Sequence, residues 1–369
     1  MGIKPQIAPP ARLTRRSLAW LAALPFHNEF ALAQLSNIGK LPPGAVKINA
    51  NENPLGPCAE AVAEIARVVR DGGRYLYEEA AEFIRVQALS MGVDRSHVRV
   101  FAGSSDPLHR SVLAFTGPGR PLVVADPGYE AAGRAAPHAR AETVTIPLDQ
   151  THAHDVRAMV AAAPTAGMFY ICNPNNPTGT ITPRASLEWL VANKPPGSVV
   201  VIDEAYIHYC DEPASIDFVQ QGRDVVVLRT FSKLYGMAGL RAGSAIARPD
   251  LLDRIAAFGS GPLPVAGMAG AHASLKAKGV VEQRRQLVRD IREDLFKWMK
   301  SRNYAFIPSV SNKFMVETGR PGGEVGRLMA AKGIYIGRVW PSWPTKVRVS
   351  IGTAEEMEAF KRAFADVMG

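Results

Sequence analysis

The sequence predicts an α/β protein, with a large domain built on a doubly wound, mostly parallel seven-stranded sheet and a smaller domain of the α+β class. Two observations support this prediction. Short runs of continuously apolar residues recur from about residue 98 and end in Gly, Pro, Asn or Asp, which is typical of strands buried on both faces. Helical patterns lie between several of these runs, and such alternation indicates parallel strands covered by helices.

Seven apolar runs predict the strands of the large sheet. In chain order they are VRVFAG, PLVVADPG, ETVTIP, GMFYICNP, SVVVIDEAY, DVVVLRTFS and GSAIA. Between them, HDVRAMVAAA and PRASLEWLVAN predict helices. The stretch GSGPLPVAG, residues 259–267, is rich in Gly and Pro and predicts a boundary between domains. We therefore expect an N-terminal arm, a joining segment, a large domain and a small domain, at residues 1–45, 46–75, 76–260 and 261–369.

The small domain is predicted to begin with a long helix. Four apolar residues recur there at spacings of four, four and three and so form one apolar face: Leu287, Ile291, Leu295 and Trp298. The strands that follow are predicted at YAFI, KFMVE, IYIGRV and KVRVSIG. Helices are predicted at EVGRLMAAKG and AEEMEAFKRAFADVM. This mixture of strands and helices is the basis of the α+β assignment.

Composition excludes several classes of protein. A chain of 369 residues with 47% hydrophobic and 21% charged residues fits two packed globular units. The net charge is +9, but the basic residues are scattered, which favours a solvated surface over a nucleic-acid interface. The three cysteines form no CxxC pair, which argues against a metal cluster or a disulfide framework. No apolar run reaches the ~20 residues of a membrane span.

The N-terminus raises the question of export. The stretch LTRRSLAWLAALPF pairs Arg15 and Arg16 with a short apolar run, and ALAQ at residues 31–34 resembles a cleavage site. This pattern indicates a twin-arginine export signal over residues 1–34. Pro25 interrupts the apolar run, so an ordinary amphipathic arm is the alternative. We expect a cytoplasmic protein, with twin-arginine export to the periplasm as the other possibility.

The residues that follow each predicted strand deserve most weight, because ligands of open parallel sheets bind beyond the carboxyl ends of the strands. FAGSSDPLHR runs from a strand into a helix that Ser105 or Asp106 could cap, with Pro107 in the first turn. A helix start attracts anions, and Gly103 would let a phosphate approach closely. The stretch predicts either a phosphate site or a plain helix cap.

Two further loops could contact a flat ring. Tyr129, in DPGYE, could stack on such a ring, or it could be an ordinary half-buried tyrosine. In NPNNPTG, Pro174 and Pro177 stiffen the loop and hold Asn176 in one direction. A rigid loop of this kind could aim an amide at a ring hydroxyl, and a tight turn is the alternative.

A carboxylate ends the strand in VVVIDEAY, where Asp203 and Glu204 precede Tyr206. A buried carboxylate at the end of a strand is costly unless a cation pairs with it. A protonated pyridine nitrogen would serve as that cation. The alternative is a carboxylate that reaches solvent.

Lys233 follows the strand run DVVVLRT at the same edge of the predicted sheet. A lysine flanked by apolar residues and close to other cations has a lowered pKa and becomes a nucleophile toward carbonyls. Ser232 and Arg241 would bind a phosphate through a hydroxyl and a guanidinium fork. Gly236 and Gly239 would let the chain turn tightly around that phosphate.

One ligand accounts for all five sets of residues, and that ligand is pyridoxal 5′-phosphate. Its aldehyde would react with Lys233, and its ring nitrogen would pair with Asp203. Its phosphate would bind the helix start together with Ser232 and Arg241.

Five motifs then resemble a known family: NENPLGP, NPNNPTG, DEAY, TFSKLYGMAGLRAG and VRVSIGT. From about residue 46 to the C-terminus the chain resembles the class I/II aminotransferases of the fold-type I pyridoxal-phosphate enzymes, especially the histidinol-phosphate aminotransferase group. The resemblance implies an enzyme that moves an amino group between an amino donor and a 2-oxo acid, with 2-oxoglutarate as the expected acceptor.

The resemblance also implies roles for individual residues. Lys233 would bind the cofactor aldehyde and act with Asp203 and Tyr206 in catalysis. Asn176 and Tyr206 would hydrogen-bond the ring oxygen, and Tyr129 would stack on the ring. Four residues would bind the phosphate: Ser104, Ser105, Ser232 and Arg241.

Three more residues are assigned by the resemblance alone. Tyr75 would reach the phosphate site of a neighbouring subunit, which implies a homodimer. Arg348 would hold the α-carboxylate of the substrate, and Asn53 would line the substrate pocket. Neither a nucleic acid nor a membrane is expected as a partner.

The chain departs from the family pattern where the substrate side chain would bind. It has YLYEEA after Arg74, and GIYIGRVWPSWPTK brings in Arg338, Trp340 and Trp343. The donor could therefore be histidinol phosphate or an aromatic amino acid. Other pyridoxal-phosphate reactions, namely elimination, decarboxylation or cyclisation, are alternatives. A cofactor-binding regulator is a further one, although the ~45 residues before the match contain no helix-turn-helix pattern.

Overall fold

The computed structural model describes residues 41–259, 261 and 263–369. Residues 44–369 form one compact unit. The predicted export signal at residues 1–34 lies outside the described residues. The predicted division into 46–75, 76–260 and 261–369 stays a prediction.

The large sheet contains the seven strands that the apolar runs predict. They are β2 (Val98–Phe101), β3 (Leu122–Asp126), β4 (Thr143–Pro147), β5 (Met168–Cys172), β6 (Val199–Asp203), β7 (Val225–Thr230) and β8 (Gly243–Ile246). Their order across the sheet is β2-β8-β7-β6-β5-β3-β4. Only β8 opposes its neighbours, since it runs antiparallel to β2 and to β7. The predicted α/β class with a mostly parallel seven-stranded sheet is confirmed.

Helices cover this sheet and connect its strands. They are α1 (Ala59–Val69), α2 (Tyr77–Met91), α3 (Ser105–Phe115), α4 (Ala131–Ala135), α5 (Val156–Ala162), α6 (Arg184–Asn193), α7 (Ile216–Gln220), α8 (Pro249–Ala256) and α9 (Val265–Lys276). The sequence analysis predicted α3, α5 and α6 and missed the other six helices: α1, α2, α4, α7, α8 and α9. Helix α9 begins inside the Gly- and Pro-rich stretch that was assigned to the domain boundary.

The continuous apolar runs reflect burial on both sides of the sheet. In β5, Tyr170 and Cys172 pack into a core cluster on one face, while Phe169 and Ile171 pack into the cluster on the other face. All of these side chains are 2% exposed or less. Because neither face meets water, the strand shows no alternation of polar and apolar residues.

The C-terminal part is α+β, as predicted. Its helices and strands are α10 (Val280–Ser301), β9 (Phe306–Ile307), β10 (Lys313–Glu317), α11 (Gly322–Ala331), β11 (Ile334–Ile336), β12 (Lys346–Ser350) and α12 (Ala354–Met368). Strands β12, β10 and β9 form an antiparallel sheet, and β11 pairs in parallel with the short strand β1 (Val46–Ile48). Helix α12 starts with a capping box between Thr353 and Glu356.

The predicted apolar face of α10 is only partly right. Leu295 is fully buried, and Ile291 and Trp298 pack against the core. Leu287 is 43% exposed, because it borders an open cleft of about 250 Å³ together with Val288 and Ile291. Within the described part of the chain, no helix is long and apolar enough to cross a membrane.

Candidate active site

The five motif sets lie at one edge of the large sheet. They follow β2, β3, β5, β6 and β7, and these strands all run in the same direction, since β8 alone is reversed. Their carboxyl ends therefore meet at the same edge, where ligands of open α/β sheets bind. The topology thus brings together side chains that are far apart in sequence.

Asp203 is the last residue of β6 and is 3% exposed. Its carboxylate accepts hydrogen bonds from the Tyr170 hydroxyl at 2.9 Å and from the backbone N–H of Ala205 at 3.1 Å. Burial raises the pKa of Asp203 to about 6 in spite of these hydrogen bonds. No lysine or arginine among the described residues forms an ion pair with it. Asp203 is therefore a buried carboxylate suited to a cationic ligand.

Lys233 lies three residues beyond the end of β7. Its Nζ donates to the backbone carbonyl of Ala50 at 3.1 Å and lies 5.9 Å from the centre of the Tyr206 ring. Loss of water around the amine, together with the charge of Arg348, lowers the pKa of Lys233 to about 8. With this pKa, about one tenth of the amine is deprotonated at pH 7, far more than for an ordinary lysine, and the neutral form is the one that acts as a nucleophile.

Ser104, Ser105, Ser232 and Arg241 meet at what we call the phosphate end of the site. The guanidinium of Arg241 donates to Ser232 Oγ at 3.3 Å and to the carbonyls of Ala238 at 2.9 Å and Ala102 at 3.1 Å. The start of α3 lies beside it, because Ala102 is followed at once by the Gly103–Ser104–Ser105 turn. A guanidinium, hydroxyls and a helix start together form an anion-binding arrangement.

The cap of α3 differs from the prediction. The N-cap residue is Ser104, not Ser105 or Asp106, and its side chain makes no capping hydrogen bond. Asp106 instead pairs with Arg110, one turn later, at 2.6 Å. Ser105 Oγ lies 3.3 Å from the hydroxyl of Tyr129. The serine side chains are thus not used to cap the helix, which favours the phosphate site over the plain cap.

Gly103 is required by the close approach of Arg241. Its φ is +85°, a conformation that favours glycine, and a Cβ at this position would collide with the guanidinium of Arg241. A larger residue at 103 would therefore displace the arginine from the phosphate end.

Arg348 and Asn176 are paired on the side of the site that faces the small sheet. Arg348 is 3% exposed, and its Nη1 donates to Asn176 Oδ1 at 2.9 Å. Its guanidinium also lies 5.5 Å from the Trp340 ring, whose Nε1 donates to the carbonyl of Gly128 at 3.0 Å. Burial lowers the pKa of Arg348 to about 10, so it remains a cation at neutral pH.

An ion pair lies next to this arginine. Arg338 pairs with Glu130 and stacks on Trp340 at 4.3 Å from the ring centre. Both charges act on the pKa of Arg348, Arg338 lowering it and Glu130 raising it. The substrate side of the site therefore contains one buried arginine without a carboxylate partner among the described residues and one arginine that is already paired.

The sequence analysis missed three residues of the site. Asn51 donates to the Tyr206 hydroxyl at 3.1 Å, and Tyr170 donates to Asp203. Lys313 lies under the ring of Tyr206. Each left a signal in the sequence: Asn51 opens NENPLGP, Tyr170 brings a hydroxyl into an apolar strand, and Lys313 opens the apolar run KFMV.

Within the described part of the chain, two predicted residues make no hydrogen bond to the other predicted site residues. Asn53 donates to the carbonyl of Leu234 at 2.7 Å, next to Lys233, and so supports the lysine loop. Tyr75 is 60% exposed and stacks on Tyr77, with the ring centres 5.5 Å apart. Its predicted place in a neighbouring subunit stays a prediction.

These residues fit pyridoxal 5′-phosphate. Asp203 has no ion-pair partner in the described ranges, and Lys233 supplies an amine of lowered pKa. The guanidinium of Arg241 lies against Gly103, at the start of α3. Among the described residues, no group of three or more His, Cys, Asp or Glu side chains could hold a metal ion.

Comparison with known proteins agrees with this assignment. The model of the family "Aminotransferase class I and II" matches residues 43–364. The histidinol-phosphate aminotransferase of Moorella thermoacetica is 32% identical over 338 residues, which cover 88% of this chain and 85% of that protein. The aromatic amino acid aminotransferase of Nocardia farcinica is 34% identical over 337 residues, with 89% and 93% covered.

Solved structures share the fold. The histidinol-phosphate aminotransferase of Sinorhizobium meliloti, solved in complex with pyridoxal 5′-phosphate, has a TM-score of 0.79 and 24% identity. The match covers 88% of this chain and 91% of that chain.

Proposed function

Because the chain belongs to the aminotransferase class I and II family and is a pyridoxal-phosphate-dependent transaminase, we propose that Lys233, Asp203 and Tyr206 are its catalytic residues. We further propose that the amino donor has an aromatic side chain and that the acceptor is a 2-oxo acid, with 2-oxoglutarate as the first to test. The observation that supports the residue roles is the meeting of Lys233, Asp203 and Arg241 at one sheet edge. These are the three groups that one phosphorylated pyridine aldehyde needs.

When bound, the cofactor would supply an electron sink for the electron pair of the substrate α C–H bond. Asp203 would keep its ring nitrogen protonated through an ion pair, and Tyr206 and Asn176 would donate to its ring oxygen. Lys233 would hold the cofactor at its aldehyde, and the Nζ of Lys233, once free, would take the α-proton and return it.

Arg348 orients the substrate. Its guanidinium would bind the α-carboxylate and turn the α C–H bond toward Lys233. The hydrogen bond to Asn176 and the stacking on Trp340 hold the guanidinium in one place. Its position is thus set by the protein before the substrate binds.

The ion pair between Arg338 and Glu130 supports an aromatic donor. A free arginine at this position would attract a phosphate, but Glu130 already neutralises Arg338. The neighbouring Trp340 and Trp343 add aromatic surface to the same region. Histidinol phosphate is the second candidate, because related histidinol-phosphate aminotransferases are as similar to this chain as aromatic ones are.

A donor screen tests this proposal. Wild-type enzyme is mixed with L-phenylalanine, L-tyrosine or histidinol phosphate, and the loss of cofactor absorbance is followed in single turnovers. We expect the aromatic donors to react fastest, and Glu130→Gln to improve kcat/KM for histidinol phosphate about tenfold relative to phenylalanine, because Arg338 is set free. Glu188→Gln, a surface ion-pair variant, is the control.

A wild-type preference for histidinol phosphate that Glu130→Gln leaves unchanged would contradict the donor assignment. Steady turnover without any 2-oxo acid would instead point to elimination, decarboxylation or cyclisation.

We also propose that the protein is a homodimer, and we propose a cellular compartment for it. Tyr75 and Tyr77 are 60% and 67% exposed, and exposed aromatic pairs of this kind are typical of interfaces. We propose a cytoplasmic enzyme. N-terminal sequencing of the protein from its native host tests this, since a start just after residues 31–34 would indicate export and contradict the proposal.

A further inference from the structure

Lys313, the first residue of β10, is a buried amine that the proposed reaction does not use. The residue is 0% exposed, and its Nζ lies 3.1 Å from the centre of the Tyr206 ring. The amine donates one hydrogen bond, to Ser311 Oγ at 3.0 Å. None of the carboxylates in the described ranges forms an ion pair with Lys313. Burying such an amine costs free energy that an apolar side chain would not.

The groups around Lys313 belong to the site. In the pairing of β10 with β12, Lys313 faces Ser350 and Met315 faces Arg348, so Lys313 and Arg348 project from the same side of this sheet. Four titratable groups act on the amine: Cys172, Asp203, Lys233 and Arg348. Burial, Arg348 and Lys233 together hold the pKa of Lys313 well below its usual range.

Tyr206 is consequently held at two points. Its ring rests against the amine of Lys313, and its hydroxyl accepts a hydrogen bond from Asn51. Asn51 is itself fixed by Ser350, which accepts from the Asn51 backbone N–H at 2.9 Å and donates to Asn51 Oδ1 at 3.0 Å. Both supports therefore come from facing residues of β10 and β12.

We propose that Lys313 is a positioning residue: its amine on the ring face of Tyr206 aims the phenol hydroxyl at the ring oxygen of the cofactor. An N–H group is attracted to the face of an aromatic ring, whether the amine is neutral or charged. The inference rests on the proposed role of Tyr206 in binding that oxygen.

The proposal predicts the direction of a spectroscopic change. A phenol that donates to the ring oxygen stabilises its deprotonated form and so makes it easier for the adjacent lysine-bound nitrogen to lose its proton. The pKa at which the visible band of the lysine-bound cofactor titrates is therefore lowered by a well-aimed Tyr206. Removing the support under the ring should raise that pKa.

The experiment is a double-mutant cycle read from absorbance against pH. Holoenzymes of wild type, Lys313→Met, Tyr206→Phe and the double variant are titrated, and kcat and KM are measured beside the spectra. We expect Lys313→Met to raise the pKa of the band by about 0.5 to 1, and Tyr206→Phe to raise it more. The double variant should match Tyr206→Phe, because Lys313 acts through the tyrosine.

Stability and a matched control separate positioning from a structural role. Lys313→Met should melt at or above the wild-type temperature, because methionine fills similar space without an amine to bury. Lys313→Gln, which keeps an N–H donor, is the second variant and should titrate close to wild type. Lys346→Met removes another lysine that lies over an aromatic ring, 5.0 Å from Trp343, and should leave the band unchanged.

Each failure has a distinct meaning. If Tyr206→Phe moves the band but Lys313→Met does not, Lys313 has no positioning role and the proposed function stands. If the two shifts add in the double variant, Lys313 acts on the cofactor by charge rather than through Tyr206, and the inference is overturned. If Tyr206→Phe leaves the band in place, the proposed role of Tyr206 fails and the inference fails with it.

Discussion

The phosphate end and the ring end of the site hold their charges in different ways. At the phosphate end, Arg241 donates to three acceptors of the protein itself. The ring end comprises Asp203, Tyr206, Lys233 and Lys313. Among the described residues, neither the buried carboxylate of Asp203 nor the buried amine of Lys313 forms an ion pair. Burial raises the pKa of Asp203 and lowers that of Lys233.

This difference between the two ends predicts that one end determines cofactor affinity and the other the rate of the reaction. The phosphate end is already hydrogen-bonded by the chain, so we expect changes there to alter how tightly the cofactor binds. The ring end contains acidic and basic groups whose pKa values are shifted toward the neutral forms, as is common in catalytic sites. Changes there should alter the reaction, and three variants test this contrast.

Lys233→Ala should have the largest effect. Without the amine there is neither a covalent attachment for the cofactor aldehyde nor a base for the α-proton, so transamination and the visible band should both be lost. Turnover with phenylalanine and 2-oxoglutarate and an absorbance spectrum measure the two losses. Lys276→Ala, at a side chain that is 56% exposed, is the control. Retained transamination would refute the assignment of Lys233.

Asp203→Asn should lower kcat by several powers of ten while the cofactor stays bound, because a neutral amide does not keep the ring nitrogen protonated. Rapid-quench rates and cofactor retention on gel filtration measure the two quantities. Unchanged rates would exclude Asp203 as the partner of the ring nitrogen.

Asp203→Asn should also change how the stability of the cofactor-free protein depends on pH. The folded-state pKa of Asp203 is raised from 3.8 to about 6, so its contribution to stability is present below pH ~4 and is lost as the pH rises through 6. The loss is at most about 3 kcal/mol. Cofactor-free Asp203→Asn should therefore melt at a higher temperature than wild type at pH 8 and show little advantage at pH 4.

Arg241→Lys should have the smallest effect on turnover. Loss of the guanidinium fork should weaken cofactor binding by about 10- to 100-fold, since hydrogen bonds to charged groups contribute about 1.5–3 kcal/mol. At saturating cofactor, kcat should change little. Cofactor titration of the apoenzyme measures the affinity, and Arg99→Gln, at a surface ion pair, is the control. A large fall in kcat with unchanged affinity would erase the contrast between the two ends.

The sequence allowed the sheet to be predicted because its strands are buried on both faces and therefore read as unbroken apolar runs. The site residues that follow those strands could be found because parallel strands deliver their carboxyl ends to one edge. Asn51, Tyr170 and Lys313 escaped notice because their roles depend on contacts with residues distant in the chain. Lys313 is more than 100 positions from Tyr206 in the printed sequence.

Two further differences from the sequence analysis result from ion pairs that the sequence does not reveal. Asp106 was a candidate cap for α3, but a salt bridge to Arg110 within the helix takes its carboxylate away. The sequence also shows no partner for Arg338. Its partner Glu130 lies 208 residues earlier, and the pairing became visible only with the fold.

The reversed strand β8 has a consequence for biosynthesis. Phe101 of β2 pairs with Gly243 of β8, and a Cβ on Gly243 would collide with the backbone of Gly103 and Ser104. The turn that receives the phosphate is thus braced by a strand translated some 140 codons later. Lys233 and Arg241 are also translated more than 100 codons after the turn, so we expect vitamin B6 capture to wait until most of the large sheet has been synthesised.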